Sequence, residues 1–375
     1  MGDGELCEVI PKSMRNEVIE KLLSLGKVGG WEIGRPVAES LGKLKNIIPQ
    51  SMGKSVIESL LKLSRDSDWG ARRPAAWSLG ELKSLIPGDM VEKVTCQLLV
   101  LSDDNVAGVR SNAALSLGKM NLIMPANMNK NVTDKVMLLT RDTDYEVRGH
   151  AVEALGKLRN VIPEGMETAV LKRIFDLIDD SDWSVKQKSI LAISLNKNNI
   201  PDEMIDKIID KLLRLTEDPQ WIIKTAAVSL LGEVGERIPE KRCGDVVKRV
   251  LETSFDLEWN VRRQCASTIG RLKCTPENMI PDVVGRLIIL CDDTDWSVQD
   301  ASARSLGGMA SVMPKNLSKE TIEKLIELTD NFDSSVRDSA LRSLVRLKSI
   351  APKNMMVEVN NILRLHHSRD SKSWE

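Results

Sequence analysis

The chain has 375 residues, and its 53 Lys and Arg nearly cancel its 54 Asp and Glu, which removes the electrostatic warrant for a non-specific nucleic-acid or acidic-membrane partner. No apolar run approaches about 18 residues, and Met1–Glu8 lacks the basic and apolar regions of a signal peptide, so the expectation is a soluble, cytoplasmic protein with no membrane partner. Six cysteines (Cys7, Cys96, Cys243, Cys265, Cys274, Cys291) form no Cys-x-x-Cys pair, and in the repeat register Cys274 and Cys291 fall roughly 20 Å apart along one helix, so free thiols rather than a metal site are expected.

Residues 1–10 read as a short leader, although Ile10-Pro11 already stands in phase with Ile48-Pro49 and Ile86-Pro87. From Pro11 onward the chain repeats itself. Proline recurs at Pro11, Pro49, Pro87, Pro125, Pro163, Pro201, Pro239, Pro276, Pro314 and Pro352, in steps of 38 residues with one step of 37. A second column with the same period reads Trp31, Trp69, Ala107, Tyr145, Trp183, Trp221, Trp259, Trp296 and Ser334. A period of this length marks a repeat array, and a lone unit is too small to bury an adequate core, so each must lean on its neighbours.

Each unit opens Pro-x-x-Met. In the second, Met52, Val56, Leu60, Leu61 and Leu63 fall on one face at 3.6 residues per turn, which predicts an amphipathic helix, A, with proline at its first position. The polar turn Arg65-Asp-Ser-Asp68 offers carboxylates to the free N–H groups of the next helix, and paired acids such as Asp142/Asp144 and Asp180/Asp182 read as the same caps. Helix B then runs from Trp69 to Lys83 with Ala71, Ala75, Leu79 and Leu82 facing inward. Beside Leu79 a glycine column (Gly42, Gly80, Gly118, Gly156, Gly232, Gly270, Gly307) persists despite a cost of about 1 kcal/mol per helical glycine, which predicts a close backbone crossing, expected against helix A.

Helix A at ten positions and helix B at nine predict 19 helices in a single solenoid over residues 11–366. The last helix is expected over Lys353–Leu365, with a loose polar tail at 367–375. Two units are irregular: the fifth ends helix B in Ser194-Leu-Asn-Lys-Asn-Asn199 without the glycine, and the seventh loses a residue before Pro276. Neither reads as a domain linker.

Aspartate recurs at Asp66, Asp104, Asp142, Asp180, Asp218, Asp256 and Asp293, and six residues after each stand Arg72, Arg110, Arg148, Lys186, Lys224, Arg262 and then Gln299, with Arg337 resuming the column opposite Asn331. A cation in the first turn of a helix faces the wrong end of its dipole and needs nearby carboxylates, so the Asp column is its partner. This spacing, with a valine before the Arg and a proline at helix A, resembles the HEAT repeat of phosphatase scaffold subunits and nuclear transport receptors over residues 11 to about 365. The resemblance implies an all-α, right-handed α-α superhelix of nine A/B pairs plus a terminal half-unit. It also implies an Asp–Arg ladder along one edge, a concave surface lined by the B helices, and a scaffold rather than one particular chemistry.

On that surface Trp77 breaks a column that otherwise reads Glu39, Leu115, Glu153, Leu191, Ser229, Ser267, Arg304 and Arg342, and it is the candidate anchor. Leu115 with Leu122, and Leu191 with Leu195, extend an apolar strip flanked by Arg35, Arg73 and Arg263. The Trp31 column is read as packing, so Trp183→Ala is expected to destabilise the array while Trp77→Ala weakens binding alone. His150, His366 and His367 supply no iron-binding His–Glu pair, and Gly42-Lys43, Gly118-Lys119 and Gly156-Lys157 lie inside helices rather than in a phosphate loop. The reading is a non-enzymatic adaptor for a protein or peptide, with no cofactor and no metal. Its rivals are a nucleic-acid-binding solenoid, which needs a continuous Lys/Arg stripe, and a HEAT-like lyase or other enzyme, which needs a deep pocket with a buried, strongly shifted carboxylate.

Overall fold

The structure, a computed structural model, describes residues 10–28 and 30–370. Among them are nineteen α-helices and no strand, joined by short turns and single turns of 3-10 helix. The chain divides into two compact units, residues 1–199 and 200–375, and each is described by itself. The first holds α1 (Arg15–Val28), α2 (Trp31–Lys43), α3 (Gly53–Leu63), α4 (Trp69–Glu81), α5 (Val91–Leu101), α6 (Ala107–Lys119), α7 (Asn129–Leu139), α8 (Tyr145–Lys157), α9 (Glu167–Asp176) and α10 (Trp183–Leu195). The second holds α11 (Asp202–Leu215), α12 (Trp221–Glu233), α13 (Glu240–Thr253), α14 (Trp259–Ile269), α15 (Ile280–Leu290), α16 (Trp296–Gly308), α17 (Lys315–Leu328), α18 (Ser334–Leu347) and α19 (Met356–Asp370).

Odd-numbered helices are the A helices and even-numbered ones the B helices. Where the sequence reading runs one solenoid through residues 11–366, the division falls at the irregular end of the fifth repeat, just after the 3-10 turn Lys197–Asn199. The last helix also differs from expectation: α19 continues to Asp370, past Leu365, and the rest of the expected tail, 371–375, lies outside the described residues.

The apolar columns form the core. Leu41, Leu79, Leu117, Leu155 and Ile193 are buried in the first unit, and Leu231, Ile269, Leu306 and Leu344 in the second. Each such side chain contributes about 2 kcal/mol on removal from water. On the A helices Val56, Leu60, Leu61 and Leu63 are likewise buried. The repeating proline, however, sits one step outside its helix. Pro49 is extended (φ −65°, ψ 143°) and its carbonyl accepts the Met52 N–H at 2.9 Å, so it opens a 3-10 turn that leads into α3. Proline's fixed φ suits that cap, and its ring needs no N–H there.

The glycine column does mark a close crossing, but against the next B helix rather than against helix A. A Cβ added at Gly118 on α6 would lie 2.6 Å from the Cα of Ala154 on α8, and one at Gly42 would lie 2.5 Å from the Trp77 ring. Gly80, Gly270 and Gly307 meet Ser116, Ser305 and Ser343 in the same way. The serines close the seam: Ser78 Oγ donates to Ala38 O at 2.7 Å, Ser116 to Ala76 O at 2.8 Å, Ser305 to Ala266 O at 2.8 Å and Ser343 to Ala303 O at 2.7 Å. Helix B therefore packs flush on helix B, which a side chain larger than glycine would prevent.

The turn carboxylates do two jobs. Asp68, Asp144 and Asp182 cap the B helices, accepting from Gly70 N (2.6 Å), Glu146 N (2.9 Å) and Ser184 N (2.9 Å). The earlier Asp of each turn builds the ladder, and the rungs join neighbouring repeats rather than residues of one repeat. Arg72 Nε and Nη2 grip Asp104 at 2.6 and 3.0 Å, while Nη1 turns back to the carbonyls of Asp66 (2.9 Å) and Ser67 (2.8 Å). Arg110 holds Asp142 and Arg148 holds Asp180 by the same two-pronged contact. In the second unit Lys224 pairs with Asp256 at 2.6 Å and Arg262 with Asp293 at 2.6 and 2.8 Å, although the lost residue before Pro276 separates that last pair by 31 positions instead of 32. Lys186 occupies the equivalent first-turn position of α10. Arg337 does not face the Asn331 side chain as the column suggested; its Nη1 takes the carbonyls of Asn331 (2.7 Å) and Phe332 (2.9 Å).

Burial alone would raise the Asp104, Asp142, Asp180 and Asp293 carboxyls, but the guanidinium hydrogen bond and a backbone N–H outweigh it and hold each below the ordinary value. The ladder is thus ionised wherever the fold is intact at neutral pH.

Candidate partner-binding surface

In the first unit three of the proposed anchor residues come together. Arg35, Arg73 and Trp77 line one cavity of about 330 Å³ between α2 and α4, with Glu39, Lys43, Trp69, Pro74 and Asn112 completing its wall. The sequence built it locally. Gly42 lets the Trp77 ring lie against α2, so the ring is half-buried rather than fully exposed. Arg73 lays its stem over Gly108, where an added Cβ would stand 3.2 Å from its Cδ, and Asn112 Nδ2 donates to Arg73 O at 3.0 Å. Pro74, inside α4, has no N–H to give to the carbonyl of Gly70, which borders the same cavity.

Trp69, Pro74 and Asn112 were not among the sequence candidates. A signal for them exists: prolines inside helix B occur at Pro36 and Pro74, in the first two repeats, where nothing in the repeat pattern requires them. The remaining candidates stand apart from the cavity. Leu115 is half-buried on α6, and Leu122 lies beyond that helix in a 3-10 turn, 76% exposed. Leu191 and Leu195 are exposed one turn apart on α10. Arg263 belongs to the second unit, where it stacks 5.9 Å from the Trp259 ring.

The aromatic column is not sealed by packing as expected. Trp69, Tyr145 and Trp183 in the first unit, and Trp221, Trp259 and Trp296 in the second, each leave 40–47% of their surface exposed. They open helix B directly after the capping residue.

Several charges on the B helices of the first unit are paired internally. Lys43 pairs with Glu39 at 2.6 Å; Glu81 binds Lys45 at 2.5 Å and also Lys119; Glu153 binds Lys157 at 2.6 Å and Lys188 at 3.5 Å. Burial would raise Glu81 and Glu153, yet their lysines pull both below the usual carboxylate range, the opposite of the raised carboxyl a general acid requires. Burial and nearby lysines push the imidazole of His150 down to about 4, and its Nδ1 shares a 2.6 Å hydrogen bond with Ser111 Oγ. The side chains of His366 and His367 lie outside the described residues. Among the described residues no group of three His, Cys, Asp or Glu is placed to hold a metal ion, no helix is long and apolar enough to cross a membrane, and Cys96, Cys243, Cys265, Cys274 and Cys291 are free thiols.

Compared with known proteins, the chain matches the HEAT repeats family over residues 133–232 and 245–345, more than half its length. No curated protein sequence matches it significantly. Among solved structures, yeast importin-β (Kap95p) is similar with a TM-score of 0.64 at 15% identity, covering 90% of this chain and 47% of that one. The complex of Kap95 with Nup1 gives 0.63 at 15% identity, covering 94% and 48%. An engineered protein gives 0.54 at 21% identity, covering 92% of both chains. The chain spans about half the length of Kap95, and at these identities the likeness is one of fold.

Proposed function

Because this chain belongs to the HEAT-repeat family, we propose that it is a non-enzymatic scaffold or adaptor that holds a protein or peptide partner against the B helices of its first compact unit. One observation carries this reading: Trp77, Arg35 and Arg73 line the same cavity, an apolar wall with cations at its rim. Trp69, Trp77 and Pro74 give an apolar side chain a dry contact, and the guanidinium groups orient the acidic or carbonyl groups beside it. The likeness to Kap95, solved in complex with Nup1, supports a protein as the partner class.

The mechanism is passive. Binding energy comes from one buried anchor, and the ion pairs along α6 and α8 leave the flanking surface without net pull on wrong partners. The test is a random-peptide display selected on the full chain. Selected peptides should bind Arg35→Glu and Trp77→Leu variants at least about tenfold more weakly, and bind a Lys130→Ala variant on α7 unchanged. Peptides that keep full affinity for both cavity variants would remove the proposal.

A further inference from the structure

The B helices of the second unit carry charge differently from those of the first. In the first unit Lys43, Lys119 and Lys157 are each neutralised by a glutamate. In the second unit the equivalent positions turn to arginine: Arg304 and Arg342 stand in the column of Glu39 and Glu153, and Arg271 and Arg346 in the column of Lys43 and Lys157. Together with Arg263 they line adjoining hollows of about 530 and 280 Å³ across α14, α16 and α18. All five are exposed.

Only one of these arginines has a carboxylate partner. Asp300 pairs with Arg304 and accepts from Ser339 Oγ at 2.5 Å, whereas Arg263, Arg271, Arg342 and Arg346 form no ion pair among the described residues. Like charges facing one hollow repel one another, and an incoming carboxylate relieves that repulsion. Guanidinium also matches carboxylate geometry with two parallel N–H donors.

We propose that this face is a docking groove for an acidic peptide segment. Neighbouring B helices lie roughly 10 Å apart, and an extended peptide covers that distance in about three residues, so the groove fits Asp or Glu at every third position. Asp300 and Asp338 stand among the arginines and disfavour a nucleic-acid strand, which carries a charge on every successive phosphate and cannot skip them. A peptide places neutral residues there. The groove lies in a different compact unit from the Trp77 cavity, so neither proposal depends on the other.

Fluorescence anisotropy on the full chain tests it, with a fluorescein-labelled peptide carrying Glu at every third residue, a composition-matched peptide with its Glu clustered, and a labelled single-stranded oligonucleotide. The spaced peptide should saturate, bind more tightly than the clustered one, and weaken about tenfold in Arg342→Glu/Arg346→Glu and measurably in Arg342→Gln/Arg346→Gln. It should bind Lys130→Ala as it binds wild type. Circular dichroism melts of each variant establish that the fold is intact. Absence of saturable binding, equal affinity in the folded Arg342/Arg346 variants, or tighter binding of the oligonucleotide would overturn the proposal.

Discussion

Asn331 Nδ2 donates to Gln299 Oε1 at 2.8 Å, an amide-to-amide contact at the ladder position where Arg262 and Asp293 make an ion pair one repeat earlier. Both sides of the rung have lost their charge together, and the two-pronged contact of Arg262 with Asp293 becomes a single hydrogen bond. Gln299 Nε2 still reaches the Asp293 carbonyl at 2.6 Å, as arginine does elsewhere, and Asn331 Oδ1 still accepts the Asp333 N–H at 2.9 Å. A half-changed rung would leave either a cation against an amide or a carboxylate without its cation.

The two positions should therefore be coupled. Gln299→Arg and Asn331→Asp made singly are expected to lower stability, while the double variant recovers wild-type stability or exceeds it, with a coupling energy of about 1–2 kcal/mol. Urea unfolding of the four proteins completes the cycle. Strictly additive effects would show that the two side chains act independently.

The glycines of the B–B seam should respond oppositely to glycines in open helical positions. Gly118→Ala places a Cβ against the Ala154 backbone and is expected to cost about 1–3 kcal/mol. Gly244 on α13 and Gly285 on α15 have nothing within 4 Å of an added Cβ, so alanine there should stabilise by about 0.5–1 kcal/mol each. Thermal melts that moved all three variants in the same direction would contradict the seam.

His150 sets a pH dependence. Its folded-state value is lowered to about 4 from an ordinary 6.5, so between these values the unfolded chain binds the extra proton. Stability contributed by keeping the imidazole neutral is present above pH 6.5 and is lost as the pH falls from there toward 4. His150→Asn should flatten the change in unfolding midpoint across that window. The ladder carboxylates act lower: depressed below their ordinary 3.8, they lose their contribution only as the pH falls beneath it.

Trp77 and Trp183 should exchange the roles the sequence assigned them in stability. The Trp77 ring is half-buried against Gly42, and Trp77→Ala is expected to cost about 2–3 kcal/mol, whereas Trp183, 47% exposed, should cost about 1 kcal/mol or less. Denaturant midpoints for the two variants decide the order.

Much of the molecule is legible in the sequence by itself, because a repeat prints the same physical demand many times. The 38-residue period, the apolar columns ending in Leu41 through Leu344, and the aspartates that cap helix B in several repeats follow from helix periodicity and capping, which are local. Only the tertiary structure decided what meets what between repeats. It brought Arg72 to Asp104 rather than to its own Asp66, and the Gly118 seam to Ala154 rather than to a helix A. It gathered Trp77, Arg35 and Arg73 around one cavity while leaving Leu191 outside it. A column shows which residue types recur, but the partner of each is set by the rotation and offset of stacked helices, and those arise from packing across repeats that no single stretch of chain contains.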